Sequence, residues 1–284
     1  MPEVGVSLNT MLKQGAVDLQ RAGLSEPRRE ALRLWSELSQ SSAVDALLAD
    51  RMVIEPSAVH RYRQLVERRS GGEPLAHVTG WAGFRHLVLK SDRRALIPRP
   101  ESEGLVDLLL ERQRTGRVAD IGTGSGCLAL SLAMEGGFDL ILGLDRSAEA
   151  LALAQINRQL VNARITLIQA DLCSALADQS LDALISNPPY LTNEEYRELD
   201  PGVRTWEPEV ALVSGEDGLE ATARLLQDGR RVLRSGGWLM LEVDCTRAHA
   251  AAQAAAALGW EDASIHLDLF GRERYLLARR SRTS

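Results

Sequence analysis

The stretch Asp120-Ile121-Gly122-Thr123-Gly124-Ser125-Gly126 follows a short apolar run and precedes a segment of helical character. A glycine-rich turn between a strand and a helix lets the backbone approach a ligand where a side chain would clash. In the dinucleotide fingerprint G-x-G-x-x-G, the third glycine would fall at position 127, which is Cys127. The loop therefore predicts a ligand site at the end of a strand, and it counts against a pyrophosphate-binding dehydrogenase.

Short apolar runs alternate with segments of helical character from Arg117 onward. The predicted strands are residues 118–121, 140–144, 165–168, 181–185 and 238–243, with a helix expected between each pair. Such alternation predicts a parallel sheet with helices on both faces. Two last runs, 263–267 and 275–278, lie too close together for a crossover helix, so they are expected to pair antiparallel. The predicted fold class is α/β, a doubly wound sheet that ends in an antiparallel hairpin.

Acidic residues follow the second and third predicted strands. Asp145 lies at the distance from the glycine loop where an acid accepts hydrogen bonds from a ribose diol. Asp171 and Leu172 would lie at the adenine end of the same crevice, because ligands collect at the carboxyl ends of strands. For either acid alone the alternative is a helix N-cap. Together with the glycine loop, the two acids favour an adenosine-type pocket.

The sequence Asn187-Pro188-Pro189-Tyr190 ends the fourth predicted strand. Two successive prolines remove two N–H donors and hold the preceding residues in extended conformations. The side-chain oxygen of Asn187 and the carbonyl of Pro188 can then each accept one hydrogen of a planar NH₂ group, while Tyr190 stacks over it. The alternative is a turn that merely ends the strand. The motif predicts a receptor for an amide or an aromatic exocyclic amine.

Such nitrogens are poor nucleophiles because their lone pairs are delocalised. Holding one in line with an activated methyl group supplies up to ~7–11 kcal/mol of the barrier. Hydrogen bonds that favour a pyramidal nitrogen strengthen toward the transition state. Asn187, Pro188 and Tyr190 are therefore the predicted catalytic residues, and neither a metal nor a nucleophilic side chain is required.

Composition narrows the function classes. The 284 residues carry a net charge of −6, the wrong sign for a protein held mainly by phosphate contacts. The longest charge-free apolar runs fall short of the roughly 20 residues that span a bilayer. The N-terminus lacks the basic and apolar regions of a signal peptide, so the expected location is the cytoplasm. Cys127, Cys173 and Cys245 are widely spaced and predict neither disulfides nor a zinc site.

The region before the glycine loop has a different pattern. Residues 1–75 read as a helical domain, with Pro27 and Pro56 near the starts of two amphipathic helices. From His77 the pattern changes to short β-like runs, which predicts a hairpin linker over residues 76–94. The predicted catalytic domain covers residues 95–284.

The whole chain resembles the peptide chain release factor glutamine N(5)-methyltransferases, the HemK/PrmC family. Asn-Pro-Pro-Tyr alone is shared with adenine-specific DNA methyltransferases, whereas the stretch Ile97-Pro98-Arg99-Pro100-Glu101 is more discriminating. The resemblance also covers Gly72-Glu73-Pro74-Leu75, Glu207-Pro208, Gly215-Glu216-Asp217-Gly218-Leu219 and Asp268-Leu269 with Gly271 and Arg274. It implies a class I methyltransferase fold, Rossmann-like, with a seven-stranded sheet whose last strand is antiparallel.

The resemblance also implies an activity and a site. S-adenosyl-L-methionine would donate a methyl group to the glutamine amide of the Gly-Gly-Gln motif in class I release factors, and S-adenosyl-L-homocysteine would be the product. Gly122, Thr123, Gly124, Ser125 and Gly126 would pass the methionine moiety, and Asp145 would hold the ribose. The substrate amide would contact Asn187, Pro188, Pro189 and Tyr190, with Asn187 also near the methyl donor. The chain departs from the family pattern at Leu172, Ser214 and Asp244.

Two alternatives keep the same amide or amine chemistry with a different substrate. One is a ribosomal-protein glutamine methyltransferase, and the other is a nucleic-acid exocyclic-amine methyltransferase, which must extrude its base. The net charge and the absence of a dense Lys/Arg tract count against direct nucleic-acid binding. The expected partner is a class I release factor docked by the N-terminal helices, with no membrane association and a monomeric enzyme. For Arg99 and Glu101, a role in the donor pocket and a helix start after Pro100 remain equal alternatives.

Overall fold

The structure is a computed structural model that describes residues 6–49 and 52–282. Over these residues the chain forms twelve α-helices and eleven β-strands. The helices are α1 (Leu8–Arg21), α2 (Pro27–Ser39), α3 (Ala43–Leu48), α4 (Pro56–Ser70), α5 (Leu75–Thr79), α6 (Glu103–Arg112), α7 (Cys127–Glu135), α8 (Ala148–Leu160), α9 (Asn193–Glu198), α10 (Pro201–Trp206), α11 (Glu220–Val232) and α12 (Ala248–Ala257). The strands are β1 (Val6–Ser7), β2 (Val53–Ile54), β3 (Trp81–Phe84), β4 (Leu87–Lys90), β5 (Thr115–Ile121), β6 (Gly137–Asp145), β7 (Thr166–Gln169), β8 (Leu181–Ser186), β9 (Leu233–Glu242), β10 (Glu261–Leu267) and β11 (Glu273–Arg279).

Seven strands form the central sheet in the order β10-β11-β9-β8-β5-β6-β7. β5 pairs in parallel with β6 and β8, while β7 and β9 extend the parallel part on either side. β11 runs antiparallel to both of its neighbours, β9 and β10. The predicted doubly wound sheet with an antiparallel last strand is therefore confirmed. Strand order reverses between β5 and β8, and ligands bind outside the carboxyl ends of strands at such a point.

Alternate residues of the central strands are buried on opposite faces of the sheet. Ala119 and Ile121 of β5 pack in one cluster with α11 and α12, whereas Val118 packs in another with α6 and α7. On β9, Leu241 and Met240 divide between the two clusters in the same way. Each fully buried aliphatic side chain contributes about 1.5–3 kcal/mol. Because both faces are covered, the strands read as continuous apolar runs, which is why the sequence reveals them.

Two predicted elements differ in the structure. The helix expected between β7 and β8 is absent, and residues 170–180 form turns instead. The Arg231 side chain on α11 donates to the carbonyls of Cys173 and Leu176 at 3.0 and 2.7 Å, so these backbone groups are satisfied without helical bonds. Strand-like structure is expected from His77, but residues 77–79 belong to helix α5. Gly80, with a φ of 80°, ends that helix before β3.

The chain divides into two compact units, Met1–Gly80 with Pro201–Trp206 and Trp81–Asp200 with Glu207–Ser284. In the first unit, α1, α2 and α4 bury a shared apolar core that includes Leu34. Tyr62 donates from its buried hydroxyl to the carbonyl of Ala31 at 3.2 Å. A Cβ at Gly15 would overlap the phenolic oxygen of Tyr62, so only glycine lets α1 and α4 approach this closely.

The predicted hairpin corresponds to β3 and β4, which belong to the second unit. Phe84, Leu87 and Leu89 are buried in the cluster formed by α6 and α7. The assignment of substrate docking to residues 1–75 and of catalysis to residues 95–284 stays a prediction. Within the described ranges, no helix is long and apolar enough to cross a membrane.

Candidate cofactor and substrate site

A cavity of about 270 Å³ opens at the carboxyl ends of β5, β6 and β8. It gathers most of the residues that the sequence places in the site, from all four predicted segments. Those that line it are Gly122, Thr123, Gly124, Ser125, Asp145, Asp171, Leu172, Asn187 and Pro189. Gly126, Pro188 and Tyr190 do not line this cavity. Its position matches the switch point of the sheet.

The glycine loop is held open by backbone conformations that favour glycine. Gly122, Gly124 and Gly126 have φ values of 71°, 56° and 87°. A Cβ at Gly122 would meet no atom within 4 Å, so the missing side chain leaves open space at the cavity wall. The N–H groups of Gly122 and Thr123 both donate to the carbonyl of Leu144 at 2.8 Å, which fixes the loop to β6.

Asp145 closes the loop from the end of β6. Its Oδ2 accepts from the N–H of Gly124 at 2.9 Å, and its Oδ1 accepts from the N–H of Ser147 at 2.9 Å. Ser147, not Asp145, is the N-cap of α8, accepting from Ala150 at 3.2 Å. Each carboxylate oxygen retains a further lone pair directed to other donors, as a vicinal diol requires.

Asp120 lies beneath the loop and is fully buried. Its Oδ2 accepts from the Thr123 hydroxyl at 2.6 Å and from the N–H of Ala129 at 3.2 Å. Burial raises the pKa of Asp120 to about 7, although these two hydrogen bonds oppose the shift. Among the described residues, none hydrogen-bonds to its Oδ1. In the sequence Asp120 is simply the last acidic residue before the glycines, with no pattern that indicates its burial.

Asp171 and Leu172 follow β7 and line the cavity together with the glycine loop. Leu172 has a φ of 46°, an uncommon conformation for a branched side chain. Oδ2 of Asp171 is 2.6 Å from Nη2 of Arg224 on α11, and Arg224 also lines the cavity. The sequence offers no local signal for Arg224, since it lies on the polar side of a helix far along the chain.

Asn187 begins the loop after β8. The preceding Ser186 donates from its hydroxyl to the carbonyl of Ile121 at 2.6 Å, which joins this loop to the glycine loop. Nδ2 of Asn187 donates to Oγ of Ser102 at 2.9 Å. Among the described residues, none hydrogen-bonds to Oδ1 of Asn187, which is left as an acceptor at the cavity.

The following residues are held by a neighbouring segment. Pro188 is buried, and the N–H groups of Tyr190 and Leu191 both donate to the carbonyl of Leu212, at 3.1 and 2.9 Å. Burial raises the pKa of the Tyr190 phenol well above its usual value. Tyr190 therefore carries a proton throughout the physiological pH range, which suits a stacking side chain and not a proton acceptor.

An ion pair between the half-buried Arg99 and the buried Glu207 borders the cavity through Arg99. Glu207 is 5% exposed and accepts from Nη2 of Arg99 at 2.6 Å and from the N–H of Ile97 at 3.1 Å. Ile97 and Arg99 line the cavity, and Arg99 also precedes the 3-10 turn Pro100–Ser102. Arg99 therefore lines the cavity and also precedes a helical turn, and its role in a donor pocket stays a prediction. Its partner Glu207 belongs to the Glu207-Pro208 dipeptide.

Comparisons with known proteins cover both units. The family model described as "PrmC N-terminal domain" matches residues 10–80, and that described as "Methyltransferase small domain" matches residues 101–199. The release factor glutamine methyltransferase of Deinococcus radiodurans is 37% identical over 97% of this chain and 99% of its own length. That of Nitratidesulfovibrio vulgaris is 36% identical over 97% and 96%. The crystal structure of a methyltransferase from Pyrococcus furiosus superposes with a TM-score of 0.53 at 18% identity, covering 68% of this chain and 88% of that one, and it has the same fold.

Proposed function

The chain belongs to the release factor glutamine methyltransferase family, and we propose that it methylates the glutamine side-chain amide in the Gly-Gly-Gln motif of class I peptide chain release factors. The methyl donor is S-adenosyl-L-methionine, and the product is S-adenosyl-L-homocysteine. One observation carries the proposal: Asn187, whose Nδ2 is held by Ser102, lines the same cavity as the glycine loop and Asp145. An amide receptor and a nucleoside pocket then share one site.

The cavity residues fit this cofactor. A methyl group at Gly122 would fill space that the loop leaves open. A Cβ at Gly124 would come no closer than 3.8 Å to a side-chain atom, the Cβ of Ala95. Gly122 to Gly126 would pass the methionine moiety, Asp145 would accept from the ribose hydroxyls, and Asp171 with Leu172 would border the adenine. When bound, S-adenosyl-L-methionine supplies a methyl group made electrophilic by its sulfonium sulfur.

The chain's own residues orient the glutamine. The amide would lie at the edge of the cavity, because Asn187 lines it and Pro188 does not. Oδ1 of Asn187 and the carbonyl oxygen of Pro188 would each accept one N–H, with the nitrogen lone pair directed toward the cavity. Tyr190 stacks on the amide plane and excludes water. As the nitrogen bonds to the methyl group it becomes pyramidal and gains positive charge, so its N–H bonds grow more acidic and the two acceptors bind them more strongly in the transition state than in the ground state. Loss of one of these protons to solvent then leaves the neutral methylated amide. Fixing this geometry contributes on the order of 7–11 kcal/mol.

The surroundings of the site support a protein substrate. The net charge of −6 disfavours a phosphate backbone as the main contact. We propose that the first compact unit, which has its own core of helices, docks the release factor. All residues invoked at the site belong to the second compact unit, and the proposed enzyme is a monomer. A translation factor as substrate supports a cytoplasmic location.

The test is a methylation assay with purified components. The protein is incubated with S-adenosyl-L-methionine and a class I release factor, and the Gly-Gly-Gln peptide is analysed by mass spectrometry. One added methyl on that glutamine is the expected result. Asn187→Ala should abolish turnover while cofactor affinity stays within about threefold, because the cofactor contacts lie mainly on the glycine loop. An unmodified release factor beside a methylated ribosomal protein or DNA would overturn the assignment.

A further inference from the structure

Asn187 is the outermost of three side chains that are linked by successive hydrogen bonds and lead to the end of β9. Its Nδ2 donates to Oγ of Ser102 at 2.9 Å, and the Ser102 hydroxyl donates to Oε2 of Glu242 at 2.6 Å. Ser102 and Glu242 are 2% and 1% exposed. Three separate segments meet here, since Ser102 precedes α6, Glu242 ends β9 and Asn187 follows β8.

The Ser102 side chain takes no part in capping α6. Ser102 ends the 3-10 turn Pro100–Ser102 in helical backbone conformation, whereas a capping serine has an extended one. Its side chain makes no capping hydrogen bond, and it points instead to Asn187 and Glu242. The Ser102 hydroxyl therefore hydrogen-bonds to Asn187 and Glu242 and not to the backbone of α6.

The charge of Glu242 determines which groups donate and which accept in the hydrogen bonds from Glu242 through Ser102 to Asn187. A carboxylate only accepts, so the single hydroxyl proton of Ser102 is directed to Glu242. The oxygen of Ser102 is then left as an acceptor toward Asn187, and it selects the Nδ2 end of that side-chain amide. Asn187 must consequently present Oδ1 to the cavity. With the chain reversed, Nδ2 would face the substrate NH₂ group, and two donors would oppose each other.

We propose that Ser102 and Glu242 are positioning residues that hold the Asn187 amide with its oxygen toward the substrate. Neither touches the reacting atoms, and both act through Asn187. The effect of Ser102 and Glu242 on turnover rests on the proposed function. Their effect on the orientation of the Asn187 side chain does not depend on it.

Burial raises the pKa of Glu242 to about 7, which brings the switch in direction into the working pH range. Protonated Glu242 can donate to Ser102, and the Ser102 proton is then free to turn toward Asn187. The charged and titratable groups that act on Glu242 come from β11, from the segment before α6, from α7 and from the loop after β8. They are Arg274, Tyr275, Arg99, Glu101, Cys127 and Tyr190. Of these, Arg274 and Arg99 favour the carboxylate, and Glu101 opposes it.

The experiment compares Ser102→Ala and Glu242→Gln with Ser131→Ala. Ser131 on α7 is equally buried and its hydroxyl has no partner among the described residues, so it controls for loss of a buried hydroxyl. Turnover of the release factor should fall about 10- to 100-fold in the two test variants. Cofactor affinity and melting temperature should change little. The wild-type turnover number should rise with pH through about 7, and both test variants should lose that limb.

A second readout needs no substrate. The side-chain amide signal of Asn187 in a ¹⁵N–¹H NMR spectrum is assigned by its loss in Asn187→Ala. Ser102→Ala should shift this signal and speed its exchange with water, and Ser131→Ala should not. Unchanged turnover and an unchanged signal would overturn the proposal, as would losses that only follow cofactor affinity or melting temperature. A wild-type protein that leaves release factors unmodified overturns the proposed function instead, and the NMR signal still decides the orientation of Asn187.

Discussion

The side-chain amide of Asn157 hydrogen-bonds in both directions with the backbone of Lys90. The Lys90 N–H donates to Oδ1 at 2.7 Å, and Nδ2 donates to the Lys90 carbonyl at 3.1 Å. Nδ2 also donates to the carbonyl of Ser125 at 2.9 Å. Because Asn157 is fully buried on α8, one amide joins the hairpin strand β4 to the glycine loop.

Replacing Asn157 with Asp should reveal how much this junction contributes. The carboxylate keeps the bond from the Lys90 N–H but faces two carbonyl oxygens with no hydrogen to offer. We expect a loss of about 2–4 kcal/mol in the free energy of unfolding at pH 8. Burial and the two carbonyls raise the folded-state pKa of the new carboxyl, so part of the loss should be recovered at pH 5, where the protonated form can donate. Urea unfolding at both pH values measures this.

The control is Asn162→Asp, an exposed position just after α8. Asn162 has a φ of 52° and follows the C-terminus of α8, where a negative charge is mildly unfavourable, so the change should lower the free energy of unfolding by less than about 1 kcal/mol. Equal stability of the Asn157→Asp and Asn162→Asp variants would contradict the role assigned to the buried amide.

Alanine substitutions at two glycines distinguish the effect of a side chain on cofactor binding from the effect of backbone strain. Gly122 and Gly23 have φ values of 71° and 86°, and a Cβ at either would meet no atom within 4 Å. Alanine should therefore lower the free energy of unfolding by about 1–2 kcal/mol at both positions. Only Gly122 lines the cavity, so Gly122→Ala alone should weaken S-adenosyl-L-methionine binding, by about tenfold or more. Isothermal titration calorimetry measures it, and equal affinities in the two variants would contradict the placement of the cofactor.

The sheet and the two loops that border the cavity follow from local sequence. Buried parallel strands need apolar side chains on both faces, and the glycine loop and Asn187-Pro188 owe their geometry to residues adjacent in the chain. These features are predictable because neighbouring residues determine them.

The supporting residues are not predictable in the same way. Asn187 and Glu242 both reach Ser102 because the strand order brings β9 beside β8, and a serine after Pro-Glu reads as an ordinary helix start. Arg231 replaces an expected helix by satisfying loop carbonyls from α11. In each case the decisive partner is distant in sequence, and its own residue type is common on protein surfaces.

Asp120 should make the protein less stable as the pH rises. Its folded pKa of about 7 lies above the ordinary value of 3.8, so the folded state holds the proton more tightly. The free energy of unfolding that Asp120 contributes is greatest at low pH and falls between about pH 4 and pH 7. Asp120→Asn does not titrate and should be more stable than the wild type by about 1–3 kcal/mol at pH 8, with a smaller difference at pH 5.

The comparison of Asp120→Asn with the wild type isolates one group. Glu242 titrates in the same range but is present in both proteins, so its contribution cancels. The exposed Asp178→Asn should show no such pH-dependent gain. A constant stability difference for Asp120→Asn from pH 5 to pH 8 would show that Asp120 is not held protonated.

Tyr190 offers a test of stacking against proton transfer. Its raised pKa keeps the phenol protonated, so the hydroxyl has no role as a base. Tyr190→Phe preserves the ring and should retain turnover within about threefold, whereas Tyr190→Leu should lose about 10- to 100-fold because the amide plane is no longer held. Steady-state methylation of the release factor distinguishes these variants, and cofactor affinity serves as the control because it should be the same in both. If Phe and Leu lost turnover equally, the hydroxyl and not the ring would be the functional group, and the amide would need another explanation for its orientation.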